Sequence, residues 1–210
     1  MKIAVIGAGG HAKVVVATLQ AMDHIVGGIF DDSEARWGSE VLGAKVLGPV
    51  STLVPDQFDG CIIAIGANAV RKRLAELPIR FFTAVHPSAI IHPSVLIGDG
   101  TVVFAGTVIQ PDTVVGRHCI INTGAMVDHD CGIEDYCHLA PGCHLAGGVV
   151  LREGVFMGIG SSAIPNMTVG EWSTIGAGGT VVRDIPEYCT ATGVPAKPGK
   201  FSYPSEEVVT

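Results

Sequence analysis

The amino-acid sequence predicts two structural parts: a small parallel, Rossmann-like α/β domain and, after it, a parallel β-helix. Three observations carry this prediction. Apolar segments typical of strands alternate with helical segments in residues 1–85. A glycine-rich turn follows the first of these strands. A six-residue apolar repeat then runs without a break from about Ile91 to about Pro186.

The first domain is expected to cover residues 1–85. Its predicted strands are Lys2–Gly7, Ile25–Phe30, Ala44–Leu47, Cys61–Gly66 and Phe81–Val85. Its predicted helices run from about His11 to Met22 and from about Asn68 to Leu77. Strands that alternate with helices favour a parallel sheet, because a parallel crossover needs a connection of about a dozen residues.

The repeat defines a second domain over residues 86–190, followed by a tail over residues 191–210. One frame of six residues selects sixteen positions, of which all but Ala163 carry large apolar side chains: Ile91, Ile97, Val103, Ile109, Val115, Ile121, Val127, Ile133, Leu139, Leu145, Leu151, Met157, Ala163, Val169, Ile175 and Val181. A single hexad cannot bury its aliphatic side chain, whereas stacked coils bury a continuous row of them.

The fourth position after each aliphatic residue is mostly small. Four of the six cysteines fall on it, namely Cys119, Cys131, Cys137 and Cys143. We therefore interpret these cysteines as buried packing residues, and not as disulfide or metal-ligand candidates.

The composition excludes several classes of protein. The chain of 210 residues has a net charge of −7 and no Lys/Arg cluster, so a nucleic-acid-binding surface is not expected. No apolar run approaches the roughly 20 residues of a membrane span. Glycines interrupt the short apolar run at the N-terminus where a signal peptide would continue, so we expect a cytoplasmic protein.

The glycine-rich turn lies between a strand and a helix. Gly7-Ala8-Gly9-Gly10-His11-Ala12 is placed to bind a phosphate group at a helix N-terminus. The spacing also fits a dinucleotide fingerprint in which Asp31 would bind a ribose, which leaves a small NAD-dependent enzyme open. The domain, however, is about half the size of a full dinucleotide fold.

Several motifs together resemble one family. GAGGHAKVV, an acidic pair after the second strand, IGAN with a nearby arginine, and HPSA before the hexad repeat resemble the sugar O/N-acetyltransferases, which include sialic-acid O-acetyltransferases and bacillosamine and perosamine N-acetyltransferases. The resemblance implies a left-handed β-helix with three hexads per coil. It implies a nucleotide-linked sugar as substrate, with these residues in its pocket: Gly9, Gly10, His11, Lys13, Asp31, Asp32, Asn68 and Arg71.

The segment Val127–Cys131 also matches the family, in which a histidine followed by an acidic residue is the general base. An unperturbed histidine titrates near pH 6.5, which suits removal of a proton from an amine or hydroxyl during acetyl transfer. We expect His129 to be this base and Asp130 to orient it.

A coil of eighteen residues would place Gly147 directly above His129. We predict that the Gly147 N–H stabilises the thioester oxyanion, a contribution of about 3 kcal/mol. The resemblance further implies acetyl-CoA as co-substrate and a homotrimer with acetyl-CoA between neighbouring β-helices. The expected acetyl-CoA site comprises His138, Gly147, Gly160, Ala177 and Lys197.

Together with this resemblance, the sequence predicts acetyl transfer to the amino group of a nucleotide-linked 4-amino-4,6-dideoxy sugar, with no metal and no membrane segment. Two alternatives besides the NAD enzyme stay open. In the first, the acceptor is a hydroxyl group, as in sialic-acid or serine acetylation. In the second, the protein is a nucleotide-binding scaffold without enzymatic activity. The motifs do not distinguish the base or the sugar.

Overall fold

The first part of the chain folds into a five-stranded sheet with one long helix. The computed structural model describes residues 1–201; the last nine residues of the predicted tail lie outside this range. The elements of this part are β1 (Lys2–Ile6), α1 (Gly10–Ala21), β2 (Ile25–Phe30), β3 (Glu40–Val41), β4 (Ala44–Gly48), β5 (Gly60–Ile63) and α2 (Asn68–Leu74), with 3₁₀ turns at Glu34–Arg36, Val50–Thr52 and Pro55–Gln57.

The strand order in this sheet is β3-β4-β2-β1-β5, parallel except for the β3–β4 hairpin. The sequence did not predict β3, which is only two residues long. The prediction that Phe81–Val85 forms a strand of this sheet was wrong. Phe81 makes a single bridge to Cys61, and Ala84–Val85 (β6) pairs with the solenoid instead. The main-chain partners of these last two residues are therefore in the β-helix.

The hexads form two-residue strands that stack into three parallel sheets. Within residues 90–181 the strands are β7 (Ile90–Ile91), β8 (Leu96–Ile97), β9 (Val102–Val103), β10 (Val108–Ile109), β11 (Val114–Val115), β12 (Ile120–Ile121), β13 (Met126–Val127), β14 (Gly132–Ile133), β15 (His138–Leu139), β16 (His144–Leu145), β17 (Val150–Leu151), β18 (Phe156–Met157), β19 (Ser162–Ala163), β20 (Thr168–Val169), β21 (Thr174–Ile175) and β22 (Thr180–Val181). Sixteen strands at three per coil make five coils and one further strand.

We number the three sheets in chain order. Face 1 contains β7, β10, β13, β16, β19 and β22; face 2 contains β8, β11, β14, β17 and β20; face 3 contains β6, β9, β12, β15, β18 and β21. Residues eighteen apart pair directly, as Val127 does with Leu145. The solenoid ends in β23 (Cys189–Thr192), which joins face 3, and β24 (Lys197–Phe201), which returns antiparallel to it.

The second residue of each strand points inward, and most of the repeated aliphatic side chains form one buried core. The small position is buried as well, and its side chains do more than fill space. The thiols of Cys119, Cys131, Cys137 and Cys143 each donate to a carbonyl fifteen residues further on, at sulfur–oxygen distances of 3.0–3.2 Å. Thr101 and Thr113 make the same contact at 2.8 Å. All six cysteines are free thiols.

The α/β domain covers face 3. Its core merges with Val102, Phe104 and Ile120, which project outward from that face and are buried. Several outward apolar residues of the other two faces remain exposed. Ile90 and Met126 on face 1 and Leu96 and Val114 on face 2 have between 46% and 68% of their surface accessible. Faces 1 and 2 therefore each carry apolar side chains that the chain itself leaves uncovered.

Close stacking of coils predicts a strong effect at Gly158. A Cβ atom there would lie 2.6 Å from the Ile175 carbonyl oxygen and 2.7 Å from the Ala177 nitrogen, which are backbone atoms with little freedom to move. We expect Gly158→Ala to lower the free energy of unfolding by about 1–3 kcal/mol, measured by urea denaturation at a fixed protein concentration.

Gly132→Ala is the matched control, because its Cβ would meet only Val150 Cγ2 at an ordinary 3.9 Å. Equal stabilities of the two variants would contradict the tight coil spacing at Gly158.

Candidate active site

The glycine-rich turn connects β1 to α1 and leaves open space at the start of the helix. Gly7 adopts φ +101°, and a Cβ there would lie 2.7 Å from Ile65 Cγ1, so glycine is required on two grounds. Gly9 is the N-cap of α1 and offers no side-chain hydrogen bond to it. A Cβ atom added at Gly9 or at Gly10 would meet no other atom within 4 Å. The Ala12 N–H donates to the Gly9 carbonyl at 3.1 Å, whereas the N–H groups of Gly10 and His11 have no acceptor within residues 1–201 and can receive an anion.

The acidic pair after β2 braces the loops around this turn. The Ala8 N–H donates to Asp31 Oδ2 at 2.7 Å and the Ser33 N–H donates to Asp31 Oδ1 at 2.9 Å. The Val50 N–H donates to Asp32 Oδ1 at 2.9 Å. These bonds give both carboxylates a structural role. The contact of the two carboxylates with the base or ribose of a nucleotide stays a prediction.

His11 and Lys13 lie on the first turns of α1 and point in different directions. Lys13 is exposed. The His11 ring packs toward face 3, with its centroid 5.4 Å from that of Phe104 and 6.1 Å from that of His138. Burial, followed by the nearby Arg71 charge, lowers the pKa of His11 to about 4, so the ring is neutral at pH 7. Its Nε2 is buried without a hydrogen-bond partner in residues 1–201.

His138 projects from face 3 into the contact between the two domains. Its Nε2 lies 3.2 Å from Asn122 Nδ2 and its Nδ1 lies 3.3 Å from the Gly66 carbonyl oxygen. This arrangement favours the tautomer with the proton on Nδ1. Burial, followed by Arg71, lowers the pKa of His138 to about 3. Sequence reasoning missed Asn122, because the hexad pattern marks interior positions and says nothing about which outward residues a second domain covers.

The structure corrects the predicted place of Arg71. Only 1% of Arg71 is exposed, and its guanidinium donates to carbonyl oxygens of both domains, so it does not reach the open surface above the glycine turn. Asn68 is partly buried; its amide donates to the Gly154 carbonyl at 2.9 Å and its Oδ1 accepts from Arg71. Asn68 also borders an open groove with Phe156, so its contact with substrate stays a prediction.

His129 lies at the corner between faces 1 and 2, between β13 and β14. Its Nδ1 lies 2.7 Å from Asp130 Oδ2, and its backbone N–H donates to Asp128 Oδ1 at 2.8 Å. The side chain is 58% exposed. The hydrogen bond with Asp130, and then the charge of Asp128, raise the pKa of His129. A ring held by Nδ1 leaves Nε2 free to take a proton from a reactant.

Gly147 lies against this ring, as the eighteen-residue coil predicts. A Cβ at Gly147 would be 2.7 Å from His129 Nε2 and 2.6 Å from its Cε1. The neighbouring Gly148 N–H donates to the His129 carbonyl at 2.9 Å, which fixes the two coils in register. Within residues 1–201 the Gly147 N–H has no acceptor and so remains available beside Nε2.

The other residues expected to bind acetyl-CoA do not gather at His129. Gly160 and Ala177 lie one coil apart at the corner between faces 3 and 1, and Lys197 begins β24. A groove of about 340 Å³ crosses face 1 beside Asp128, lined by Met126, His144, Ala146 and Ser162 among others. The groove lies on the side of face 1 that borders the His129 corner, whereas His138 lies on face 3.

The glycine turn and His129 are on opposite sides of the solenoid. The α/β domain covers face 3, and the corner between faces 1 and 2 is the one corner of the three-sided prism that does not border face 3. A ligand on the glycine turn therefore cannot reach His129 of the same chain across the packed core.

Residues 1–201 contain neither a cluster of metal-ligating side chains nor a helix able to cross a membrane. No group of three or more His, Cys, Asp or Glu side chains converges as metal ligands would. No helix in this range combines the length and apolarity that crossing a membrane requires.

Several comparisons with known proteins point to the same family. The family described as the PglD N-terminal domain matches residues 2–77. A crystal structure of a mutant of perosamine N-acetyltransferase from Caulobacter crescentus, in complex with CoA and GDP-perosamine, superposes with a TM-score of 0.91 at 41% identity, covering 95% of this chain and 97% of that one. The left-handed β-helix expected from the resemblance is confirmed by this match.

Two further relatives support the same assignment. The acetyltransferase domain of PglB from Neisseria gonorrhoeae matches with a TM-score of 0.88 at 38% identity over 94% of this chain and 99% of that one, and a second structure of it contains acetyl coenzyme A. UDP-N-acetylbacillosamine N-acetyltransferase from Bacillus subtilis is 43% identical over 98 residues, which are 42% of this chain and 44% of that protein. The chain spans less than half the length of the curated relatives it matches.

The Asp130 contact predicts a change in the titration of His129. Asp130→Asn keeps the side-chain shape and tolerates the φ of +58° at this position, but it removes the carboxylate. Because the hydrogen bond with Asp130 is the largest cause of the raised pKa, we expect the pKa of His129 to fall toward its ordinary value. The measurement is an NMR titration of the imidazole protons, assigned with His129→Ala.

Asp112→Asn is the control, since Asp112 lies one coil below Asp130 at the same corner with φ +62°. A His129 titration that is identical in wild type and Asp130→Asn would rule out the proposed coupling.

Proposed function

The chain belongs to the sugar N-acetyltransferase family of hexapeptide-repeat enzymes, and we propose that it transfers the acetyl group of acetyl-CoA to the amino group of a nucleotide-linked 4-amino-4,6-dideoxy sugar. The observation that carries this proposal is the contact of Asp130, His129 and Gly147 at one corner. It is supported by Caulobacter and Neisseria relatives that match nearly the full chain and contain CoA or acetyl-CoA.

In the proposed reaction, the sugar amine attacks the thioester carbonyl carbon while His129 Nε2 accepts a proton from the amine nitrogen. The carbon–sulfur bond then breaks, and the imidazolium returns the proton to the leaving thiolate, which gives the amide and free CoA. Asp130 keeps the proton on Nδ1 and stabilises the imidazolium. The Gly147 N–H donates to the oxyanion, a contribution of about 3 kcal/mol.

The nucleotide is proposed to bind at the start of α1. The uncapped N–H groups after Gly9 and the open space above Gly10 suit a diphosphate, and Lys13 adds a positive charge on the same helix. The sequence and fold leave the base unassigned. The cytoplasmic location also stays a prediction.

An acetyl-CoA assay of thiol release against UDP-, GDP- and dTDP-linked amino sugars tests the reaction. We expect turnover with an amino sugar and a loss of at least about a hundredfold in His129→Ala, since removing a general base costs 10²–10⁴ in rate. Gly147→Ala should also slow turnover, because its Cβ would push the ring from its position.

His92→Ala, which removes an exposed histidine two coils below on the same corner, should retain wild-type turnover. Thiol release with hydroxyl acceptors alone would indicate an O-acetyltransferase. Full turnover in His129→Ala would sink the assignment of the base, and NAD binding without CoA binding would replace the proposal with a dehydrogenase.

We further propose a homotrimer in which each site combines the glycine turn of one protomer with His129 of the next. Two observations support it. The two halves of the site are on opposite sides of one solenoid. Faces 1 and 2 also expose Ile90, Met126, Leu96 and Val114, which neighbouring solenoids would cover. A closed threefold arrangement covers both faces in every copy.

Mixed oligomers test this arrangement. Gly9→Asp places a carboxylate at the proposed diphosphate site in open space, and His129→Ala removes the base from an otherwise intact chain. Each variant alone should be inactive, whereas isolated mixed trimers should recover about a third of wild-type activity, because each of them contains one complete site out of three.

The measurement is thiol release after co-expression with two different affinity tags and isolation of doubly tagged oligomers. No recovery in doubly tagged oligomers would mean that each site is complete within one chain.

A further inference from the structure

Arg71 is the most buried charged side chain in residues 1–201, and no carboxylate there pairs with it. Its Nε donates to the His118 carbonyl at 2.6 Å and its Nη2 donates to the Tyr136 carbonyl at 2.7 Å. These two carbonyls belong to successive coils at the corner between faces 2 and 3. Arg71 itself lies on α2 of the α/β domain, so one guanidinium joins that domain to two coils.

The same guanidinium holds the loop between β5 and α2. Its Nη1 donates to the carbonyl oxygens of Ile65 and Gly66 at 3.1 and 3.3 Å, and its Nη2 donates to Asn68 Oδ1 at 2.9 Å. The Asn68 amide continues the contact to the carbonyls of Gly154 and Val155, one coil further along. The contact therefore spans three coils of the solenoid.

This loop touches the glycine turn and His138 of its own protomer. Ile65 packs directly against Gly7 of the glycine turn, so closely that no Cβ fits between them. The Gly66 carbonyl also receives the His138 Nδ1 contact at 3.3 Å. A shift of Ile65 and Gly66 would thus move the glycine turn and the His138 ring together.

From these contacts we infer that Arg71 is a positioning residue, which holds the nucleotide-binding domain at one fixed place on the solenoid so that the sugar amine meets His129 of the neighbouring protomer. This inference rests on the proposed function. Arg71 touches neither the reacting atoms nor the open surface above Gly9. Its charge is stabilised by carbonyl dipoles, and although burial lowers its pKa to about 10, it stays protonated at neutral pH.

The planar, forked guanidinium explains why residue 71 is an arginine. Five N–H donors in a fixed geometry reach carbonyls on opposite sides of the guanidinium, which the single ammonium of lysine cannot do. Loss of the fork should leave each domain folded and free to bind its own ligand, but allow the domains to shift. A misplacement of about 1 Å is enough to reduce a rate by about a hundredfold.

The test compares Arg71→Met and Arg71→Lys with Arg73→Met, an exposed arginine on the same helix. For each protein, titration calorimetry gives the number of competent sites and the affinities for acetyl-CoA and for the nucleotide diphosphate. We expect both Arg71 variants to lose about 10- to 100-fold in kcat per competent site, with affinities unchanged, while Arg73→Met matches the wild type.

The outcomes separate the possible roles. An unchanged kcat per competent site would reduce Arg71 to a purely stabilising residue and overturn the inference. Weaker nucleotide binding at unchanged kcat would make it a substrate-binding residue and also overturn it.

If the Arg71 variants do not assemble, Asn68→Ala removes the contact with Gly154 from a partly exposed position, and the same loss in kcat is expected. If the wild type acetylates no amino sugar, the proposed function fails by itself. The contacts of Arg71 between the domains are then still tested by hydrogen exchange in β5 and α2. Faster exchange in Arg71→Lys than in Arg73→Met is expected, and equal exchange in the two variants would overturn the inference.

Discussion

Each coil of the solenoid is hydrogen-bonded to the coil eighteen residues away, and the position of every corner residue depends on that register. The Gly148 N–H donates to the His129 carbonyl, and the Asn166 N–H donates to the Gly147 carbonyl. A side chain at one corner therefore lies above a defined residue of the previous coil. The open side of His129 exists because the residue stacked on it has no side chain.

Three histidines of this protein differ in their surroundings. His129 is exposed between carboxylates: the hydrogen bond with Asp130, and then the charge of Asp128, raise its pKa. His11 and His138 are enclosed between the domains, where burial and the charge of Arg71 lower their pKa values to about 4 and about 3. They stay neutral at physiological pH, so they can offer one donor and one acceptor each without adding positive charge beside a buried guanidinium.

The distribution of covered and uncovered surface links the fold to assembly. One of three faces is used by the chain's own α/β domain, which binds there through apolar contacts and the Arg71 hydrogen bonds. The same domain that binds the nucleotide in our proposal is thereby held away from the base on its own solenoid. If the other two faces pack against neighbouring chains in an oligomer, His129 of a neighbouring chain would supply the base to this domain.

The repeat in the sequence determined the solenoid and the buried thiols, because a six-residue period leaves little choice of register. The stacking of Gly147 on His129 followed from the repeat together with the three hexads per coil that the family resemblance implies. The motif after β1 likewise predicted the open helix start at Gly9. Only the tertiary structure decided the place of Arg71, the contact of Asn122 with His138, and the transfer of Ala84–Val85 to the solenoid. These facts concern which face the first domain covers. That choice is made by contacts between residues distant in the chain, and no local period records it.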